Sequence, residues 1–510
     1  MNQKKVGVII SYIGQFVHIL TGILYTPIML RLLGQSEYGL YQLVYSVVSN
    51  LSLLNLGFGA SYMRFYSREK AKDDDEGVAR INGMFLLIFC FMSLICILCG
   101  IVMLINIRGI FGAGLTGTEY NTARVLMLLM IINLALTFPN SIFNCIITSQ
   151  ERFLFQKMLA LLQYLLNPFI TIPLLIAGYG SIGMVSITTL LTCAVLVGNV
   201  YYCIQKLHAN FSFRQLQLSL LKEMWVFTFF IFLNQIVDQI NWSVDKFLLG
   251  RTSGTISVAI YGVGAQINSL YIQFSSSVSS VFIPKVNRIV AGTGDDKELS
   301  NLFTRVGRIQ FIIMSLILTG FIFFGKPFMR FWAGNGYEEA YIITLLLIIP
   351  VTVPLIQNLG IEIQRAKNKH KARSIVYFFI AIANVFVSIP LIKLYGPSGA
   401  AFGTTISLTA GNIIFMNWYY QNRLGIDIMY FWSNIARFLP AFILPTIVGI
   451  FEMRLNYHNV LELGIGIVIY TIAFIFSMYF FGMNEEEKSI VDRPIKKVFV
   501  DENIRSNIQQ

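Results

Sequence analysis

The chain has 510 residues, of which 55% are hydrophobic and only 13% are charged. Its mean hydropathy of +0.66 is far above that of soluble domains, so the composition excludes a soluble globular protein and predicts an integral membrane protein. The net charge of +12 does not indicate a nucleic-acid partner, because basic residues beside membrane spans are the usual orientation signal.

Long apolar stretches, separated by charged or Gly/Pro breaks, predict about fourteen transmembrane helices. The first stretch is too long for a signal-peptide core and is interpreted as a retained span. In chain order, we predict spans at residues 6–32, 39–63, 81–107, 121–148, 153–177, 181–205, 225–250, 255–284, 308–331, 339–363, 374–394, 397–420, 438–454 and 459–482.

Lysine and arginine are concentrated at the amino terminus, in the loops after even-numbered spans and in the tail. The positive-inside rule then predicts that both termini are cytoplasmic. The loops on the opposite side are short. We therefore expect the spans themselves to carry the function.

An internal repeat organises most of the chain. Residues 167–183 read NPFITIPLLIAGYGSIG and residues 384–399 read NVFVSIPLIKLYGPSG, so Asn, Ile-Pro-Leu, Tyr-Gly and Gly recur 216 or 217 positions later. The pair Tyr201 and Tyr202 also recurs, 218 positions later, as Tyr419 and Tyr420. Two copies of a six-span unit would enter the membrane in the same direction, as parallel repeats do.

The predicted fold class is therefore an all-α integral membrane protein built from two parallel six-helix repeats, with two extra carboxy-terminal helices. We predict an N-lobe at 1–220, a C-lobe at 221–437, spans 13 and 14 within 438–482, and a charged cytoplasmic tail at 483–510. Duplicated bundles of this kind place their substrate between the halves.

Span 7 is long enough to cross a bilayer but is not uniformly apolar. Its sequence, WVFTFFIFLNQIVDQINWSVDKFLLG, spaces four residues to share one helical face: Asn234, Asp238, Asn241 and Asp245. The stripe beside this face carries Gln235, Gln239 and Lys246. A carboxylate at the centre of a span costs about 2.5–3.5 kcal/mol, so Asp238 is expected to face a bundle interior or a watery cavity.

Other polar residues within or beside spans have both functional and structural interpretations. His18 occupies the repeat position of Asn234 and could instead bond between helices. Asp245 and Lys246 lie one turn from the outer surface, where snorkelling is an alternative. Glu362 precedes Arg365 by three residues, which favours a local ion pair. Arg31 and Arg64 lie at span ends, where anchoring is common.

Enzyme motifs and metal-site spacings are absent from the sequence. Cys96 and Cys99 have CxxC spacing, but they lie in an apolar span without a second pair, which favours core packing. We therefore predict neither an enzyme nor a metal site, and no cofactor.

Three segments, PIMLRLLGQSEYGLYQL from Pro27, NLGFGASYMRFYSREK from Asn55 and DKFLLG from Asp245, resemble the polysaccharide-exporter and O-antigen flippase branch of the multidrug/oligosaccharidyl-lipid/polysaccharide superfamily. The resemblance implies a MATE-like bundle of two lobes. It also implies a bacterial plasma-membrane protein that moves polyprenyl-pyrophosphate-linked oligosaccharides to the outer leaflet by alternating access. Membrane lipids and polysaccharide-assembly proteins are the further partners expected.

Under this hypothesis, the cations Arg31, Arg64 and Lys246 contact the pyrophosphate. Sugar hydroxyls are expected to bond to Asn234, Gln235, Gln239 and Asn241, with His18 as a polar site on the first lobe. Asp238, Asp245 and Glu362 are the candidates for binding a coupling proton or sodium ion.

Three other functions remain open on the sequence. A multidrug exporter of the same superfamily would not need a cationic cleft, and a peptidoglycan-precursor flippase would use the same mechanism on a different glycan. A membrane polysaccharide polymerase or ligase would need a catalytic base and a sizeable outer loop, and the short outer loops count against it.

Overall fold

The computed structural model describes residues 3–214, 219–369, 371–489 and 492, and these residues form helices and connecting turns without a β-strand. Most of the predicted tail at 483–510 therefore lies outside the described residues. The α-helices, in chain order, are α1 (Gln3–Val48), α2 (Phe58–Lys70), α3 (Asp75–Ile105), α4 (Ile107–Phe111), α5 (Gly117–Ser149), α6 (Phe153–Ile176), α7 (Gly180–Tyr201), α8 (Ser219–Gln239), α9 (Asp245–Ser280), α10 (Ile283–Ala291), α11 (Asp296–Trp332), α12 (Glu339–Ile356), α13 (Leu359–Ala366), α14 (Lys371–Leu408), α15 (Met416–Tyr419), α16 (Ile428–Ala436), α17 (Ile443–Met453) and α18 (Val460–Ser477).

Tighter and wider helical turns connect or extend several of these helices. The 3₁₀ segments are Ser49–Asn55, Gly112–Gly114 and Leu439–Phe442. The π-helical segments are Tyr202–Lys206, Ile240–Val244, Thr409–Phe415, Tyr420–Leu424 and Met478–Gly482.

Among the described residues, 10 helical segments are long and apolar enough to cross a membrane. Two of them, Ile13–Lys70 and Lys371–Leu424, have 58 and 54 residues, and each covers two predicted spans. The prediction of an all-α, multi-pass membrane protein is confirmed. The count of fourteen spans stays a prediction.

Paired backbone features support the internal duplication. Helices α1 and α9 each bend at one glycine in the left-handed region, Gly34 (φ 72, ψ 173) and Gly254 (φ 80, ψ −179). A side chain would be strained at such a φ, so glycine serves the turn between the first two spans of each repeat. The sixth span of each repeat also ends in a π-helical segment, at Tyr202–Lys206 and Tyr420–Leu424.

Span 2 is broken near its middle. The 3₁₀ segment Ser49–Asn55 is followed by Leu56 (φ 48) and Gly57 (φ 74), after which α2 begins at Phe58. A side chain at Gly57 would lie 2.6 Å from Cγ2 of Ile231 in α8. The break thus brings the backbone of span 2 directly against span 7. Non-helical backbone at membrane depth is tolerated only inside protein or beside water.

The described residues divide into two compact units. The first lies within Met1–Gln266, Ala333–Ile343 and Lys371–Ser407, and the second within Ile267–Trp332, Thr344–His370 and Leu408–Gln510. The first unit therefore combines the predicted N-lobe with spans 7 and 11 and parts of spans 8, 10 and 12 from the predicted C-lobe. The lobe boundaries at residues 220 and 437 stay predictions.

Each unit has its own aromatic core. In the first unit, Tyr62, Phe65, Phe85 and Phe89 from α2 and α3 pack with Ile142 from α5, all fully buried or nearly so. In the second unit, Phe324 from α11 packs against residues from the last helices, including Tyr470, Phe474 and Met478. Spans 13 and 14 therefore contribute side chains to the core of the second unit.

Candidate functional site

Span 7 consists of α8, the π-helical segment Ile240–Val244 and the first turn of α9. A π turn inserts one extra residue, which rotates the side chains that follow it relative to those before it. The four polar residues spaced for one helical face therefore reach different surroundings. Asp238 is exposed and Asp245 is buried, while Asn234 and Asn241 are half-buried. This corrects the prediction of one continuous polar face.

Spans 2 and 7 run antiparallel and touch along much of their length within the first unit. Near one end, a side chain at Gly39 would overlap the backbone oxygen of Thr255, and one at Gly250 would overlap Leu43. Near the other end, Gly57 faces Ile231. Glycines at these points let the two backbones approach closely, as small residues do at helix interfaces in membranes.

Lys246 lies at this interface rather than snorkelling as an isolated cation. Its Nζ donates a 2.9 Å hydrogen bond to Oε1 of Gln42 in span 2, and the side chain is half-buried. Gln42 in turn donates from Nε2 to the Tyr38 hydroxyl at 2.8 Å. This places the ammonium beside neutral hydrogen-bonding groups. The ammonium has three N–H donors, and Gln42 accepts a hydrogen bond from only one of them. Lys246 can therefore still bind an anionic group.

Gln239 makes the second polar link between these spans. Its Nε2 donates to Oγ of Ser49 in the broken part of span 2 and to Oγ of Ser243 in the π turn, both at 2.8 Å. Asn234 accepts a 3.2 Å bond from Oγ of Ser374 in α14. The polar side of span 7 is thus met by hydroxyl and amide groups from spans 2 and 11.

Asp245 occupies a buried, oxygen-rich site and is only 2% exposed. Its Oδ2 accepts bonds from the Tyr261 hydroxyl at 2.7 Å and from the Thr404 hydroxyl at 2.6 Å. One carboxylate among neutral oxygen atoms suits a proton or a hard monovalent cation better than a multivalent metal, which would require more negative ligands.

A hydrogen-bond cluster joins segments of the two predicted lobes next to the Gly34 and Gly254 turns. Oε1 of Glu119 accepts from Ser36 at 2.8 Å and from Thr255 at 2.9 Å. Nearby, Gln35 donates from Nε2 to the backbone oxygen of Gly336 at 2.7 Å. These contacts all lie within the first unit and hold residues from both repeats together at one end of span 2.

A related carboxylate contact occurs once in each repeat. Ser181 donates its backbone N–H and hydroxyl to Glu37, at 2.6 and 2.8 Å. Ser398, 217 positions later, makes the same two bonds to Glu339, at 3.3 and 2.7 Å. A carboxylate thus satisfies the first free donors of the sixth helix of each repeat, where the helix dipole also favours negative charge.

The remaining predicted site residues are dispersed. Arg31 and Arg64 are exposed, and each interacts with other groups in the protein. His18 is half-buried and packs its ring against Tyr164, with centroids 4.6 Å apart. In the second unit, Glu362 pairs with Arg365 at 2.7 Å, which is the local ion pair that their spacing favours.

Three further predictions from the sequence concern Gln235, a metal site and the CxxC pair. Gln235 has a buried Oε1 without a partner among the described residues. Within the same residues, no group of three or more His, Cys, Asp or Glu is arranged to hold a metal ion. Cys96 is buried and Cys99 is exposed, so the two side chains of the CxxC spacing have different surroundings.

Several residues of the site were not predicted, notably Gln42, Glu119, Thr255, Tyr261 and Thr404. They occur in spans or turns whose local sequence carries no unusual charge. The repeat offered one signal, since Glu119 lies 220 positions before Glu339 and both begin a span. Their roles follow from partners far away in the sequence.

Comparison with known proteins agrees with this architecture. The "Putative O-antigen transporter" of Shigella flexneri is 18% identical over 408 residues, which cover 78% of this chain and 92% of that protein. The fold is similar to that of the structure "Lipid II flippase MurJ, inward closed conformation", with a TM-score of 0.72 and 16% identity over 96% of this chain and 99% of that one.

A MATE family multidrug resistance transporter of the MOP superfamily, in its inward-facing conformation, aligns with a TM-score of 0.62 and 16% identity. The alignment covers 82% of this chain and 96% of that one. These relatives are named as transporters and flippases, not as enzymes. Residues 5–290 match the family described as "Polysaccharide biosynthesis protein". The chain therefore belongs to the polysaccharide biosynthesis protein family and has the fold of MOP superfamily transporters, as its sequence motifs indicate.

Proposed function

We propose that this protein is a flippase that transfers a polyprenyl-pyrophosphate-linked oligosaccharide from the inner to the outer leaflet of the bacterial plasma membrane. Family membership and the O-antigen transporter relative support a lipid-linked glycan as the substrate. The observation that carries the proposal is Lys246, a cation held between spans 2 and 7 with Gln42.

The polar interface of spans 2 and 7 suits such a substrate physically. A sugar that crosses hydrocarbon would lose a hydrogen-bond partner at every hydroxyl, at a cost of about 2–7 kcal/mol each, and a pyrophosphate would cost far more. Lys246 offers a charge to the pyrophosphate, while Gln42 and Gln239 offer amides to hydroxyl groups. Arg31 and Arg64 remain candidates for further phosphate contacts at the ends of their spans.

Alternating access is the transport mechanism we propose. In the predicted orientation, the cluster of Ser36, Glu119 and Thr255 lies at the outer end of the bundle and joins segments of both repeats. The cluster would keep the outer side closed while the substrate enters from the cytoplasm. Export would then require these hydrogen bonds to break and comparable ones to form elsewhere.

We assign coupling-ion binding to Asp245 in preference to Asp238 and Glu362. Asp245 is buried among hydroxyl oxygens, whereas Glu362 is neutralised by Arg365. A proton or sodium ion that moves inward through the membrane potential contributes about 2.3 kcal/mol per charge per 100 mV. Binding of the ion would replace the Tyr261 and Thr404 hydrogens at the carboxylate and so alter the packing of spans 8 and 12.

The test is transfer of a fluorescent lipid-linked oligosaccharide in proteoliposomes that contain the purified full-length chain. A peptide-free undecaprenyl-pyrophosphate glycan, the peptide-bearing lipid II and a cationic drug are compared as substrates, and a reconstitution without protein measures spontaneous transfer. Protein-dependent transfer of the undecaprenyl-pyrophosphate glycan supports the proposal. Transfer of lipid II alone, or of the drug alone, would assign the protein to one of the two rival transporter functions.

A further inference from the structure

The second unit contains a polar cavity of about 470 Å³ that no part of the proposed transport mechanism uses. It is formed by α10, the beginning of α11, α16 and the segment after α18. The lining residues that carry the argument include Lys285, Glu298, Thr304, Arg305, Arg308 and Glu486. The volume lies within the range of small-molecule sites, about 300–1,000 Å³.

Arg308 lines this cavity and is held in place by several contacts. Its guanidinium makes a bidentate pair with Glu487, at 2.6 and 2.8 Å, and donates to the backbone oxygen of Asn434 at 2.6 Å. It also lies 4.2 Å from the centre of the Phe438 ring. Both members of the pair are nearly buried, with side chains 5% and 4% exposed. Arg308 therefore holds the carboxy-terminal segment in place and has little charge left for a ligand.

Two other cations at the rim are available. Lys285 is exposed and has no hydrogen-bond or ion-pair partner among the described residues. Arg305 contacts Glu486 at 3.4 Å, with the two side chains 49% and 67% exposed. Exposed pairs of this kind contribute little, so Arg305 can turn towards an anion at small cost.

The rest of the lining offers neutral donors and two carboxylates. Thr304 is 4% exposed, and its buried hydroxyl has no partner among the described residues. Asn301 contributes an amide, and Glu298 and Glu486 can accept hydrogen bonds from hydroxyl groups. A simple inorganic anion would be repelled by these two carboxylates and would have no donor to offer them. An anion that also carries hydroxyl groups could bind the cations through its charge and donate hydrogen bonds to the carboxylates.

Exposed apolar side chains lie close in sequence to the residues that line the cavity on α16 and after α18. Met429 and Leu439 are 76% and 68% exposed, and Phe480 and Phe481 are 58% and 63% exposed. Acyl chains would cover such a surface if their head group occupied the cavity. The segments that form the cavity follow spans 8, 12 and 14, which are all predicted to emerge in the cytoplasm, so the site would face the cytoplasmic leaflet.

We infer that this cavity binds a phosphate group that carries hydroxyls, as in the phosphoglycerol head group of an anionic lipid. Lys285 and Arg305 contact the phosphate, while Glu298 and Glu486 accept from the glycerol hydroxyls. Basic pockets between transmembrane helices on the cytoplasmic side recognise phosphate head groups in this way. The same chemistry occurs in soluble glycerol phosphate, and the experiment separates the two sources.

The test measures binding to the purified full-length chain in neutral phosphatidylcholine nanodiscs. One arm adds phosphatidylglycerol to the nanodiscs, and the other adds soluble glycerol 3-phosphate. The double variant Lys285→Gln/Arg305→Gln should bind at least about tenfold more weakly. The matched control Arg288→Gln/Lys297→Gln removes two exposed cations from the same two helices without touching the cavity lining, and it should bind like the natural chain.

A variant with the opposite effect separates ligand binding from a structural role. Glu486→Gln removes the carboxylate that competes for Arg305, so it should tighten phosphate binding by about threefold even if one hydroxyl contact weakens. The site is confirmed if either ligand binds saturably, with weaker binding by the cavity double variant, unchanged binding by the control and tighter binding by Glu486→Gln. The ligand that binds in this way shows whether the phosphate comes from a lipid or from a soluble molecule. Equal binding by both double variants, or no saturable binding in either arm, would overturn the inference.

Discussion

Nζ of Lys246 donates a 2.9 Å hydrogen bond to Oε1 of Gln42, two residues separated by 204 positions in the sequence. The bond joins spans 7 and 2 and places a cation inside the bundle. It is also the contact on which the proposed recognition of pyrophosphate depends most directly.

We expect Lys246→Gln to weaken recognition of the lipid-pyrophosphate, because charge-assisted hydrogen bonds to phosphate are replaced by neutral ones. Losses of about tenfold to a hundredfold in affinity are typical of such a change. Binding of the lipid-linked substrate to purified protein is the measurement. Lys157→Gln serves as the control, since Lys157 is exposed in α6. Equal affinities for the two variants would remove Lys246 from the site.

Asp245→Asn keeps the shape of the buried side chain and removes its charge. We expect transport to lose its dependence on an imposed proton or sodium gradient, because the neutral amide no longer binds a cation. Transfer in proteoliposomes is compared with and without each gradient. Asp238→Asn, made at the exposed carboxylate of the same span, should retain the dependence. If only Asp238→Asn abolishes it, coupling belongs to Asp238 instead.

A reversible cross-link can test whether the Glu119 cluster must open. Oγ of Ser36 and Oγ1 of Thr255 lie 3.4 Å apart, so the sulfur atoms of cysteines at these positions would start close to each other. In a chain whose six native cysteines are replaced, oxidation of Ser36→Cys/Thr255→Cys should stop transfer, and reduction should restore it. Each single cysteine variant is the control. Undiminished transfer by the fully cross-linked protein would show that this end does not open.

The break in span 2 is expected to depend on Gly57. Gly57→Ala places a side chain at φ 74, which costs about 1–2 kcal/mol. The added carbon would also overlap the side chain of Ile231. Gly178→Ala is a matched control, because Gly178 has φ 85 with nothing within 4 Å of the added carbon. Thermal unfolding should show the larger loss for Gly57→Ala, and Ile231→Ala in the same chain should recover part of it. Equal losses for the two glycine variants would mean that the contact with span 7 is unimportant.

The buried pair of Arg308 and Glu487 should stabilise the carboxy-terminal segment. Glu487→Gln leaves the buried guanidinium uncompensated, and breaking such a pair typically costs about 3–5 kcal/mol. Glu485→Gln, at the 94% exposed neighbour, should change the free energy of unfolding by about 1 kcal/mol or less. Chemical denaturation in detergent measures both variants. Similar stabilities for the two would contradict the importance assigned to the pair.

Much of the architecture was predictable because hydropathy and internal repetition can be read from the sequence without knowing any tertiary contact. Apolar length indicates a span wherever it occurs, and the recurrence of Asn, Ile-Pro-Leu and Tyr-Gly after 216 or 217 positions indicated duplication. The ion pair of Glu362 and Arg365 was also foreseeable, because residues three apart are neighbours on a helix. The polar character of span 7 was evident from its composition alone.

The sequence by itself thus determined the class of protein, its duplication and the polar span on which the proposed function rests. Only the tertiary structure decided which partner each polar residue meets. The π turn at Ile240–Val244 sends Asp238 and Asp245 into different surroundings, and the break at Gly57 brings span 2 against span 7. The physical reason is that a buried donor or acceptor must be satisfied by whatever packs against it. For Lys246 and Asp245 those partners, Gln42 and Thr404, lie far away along the chain.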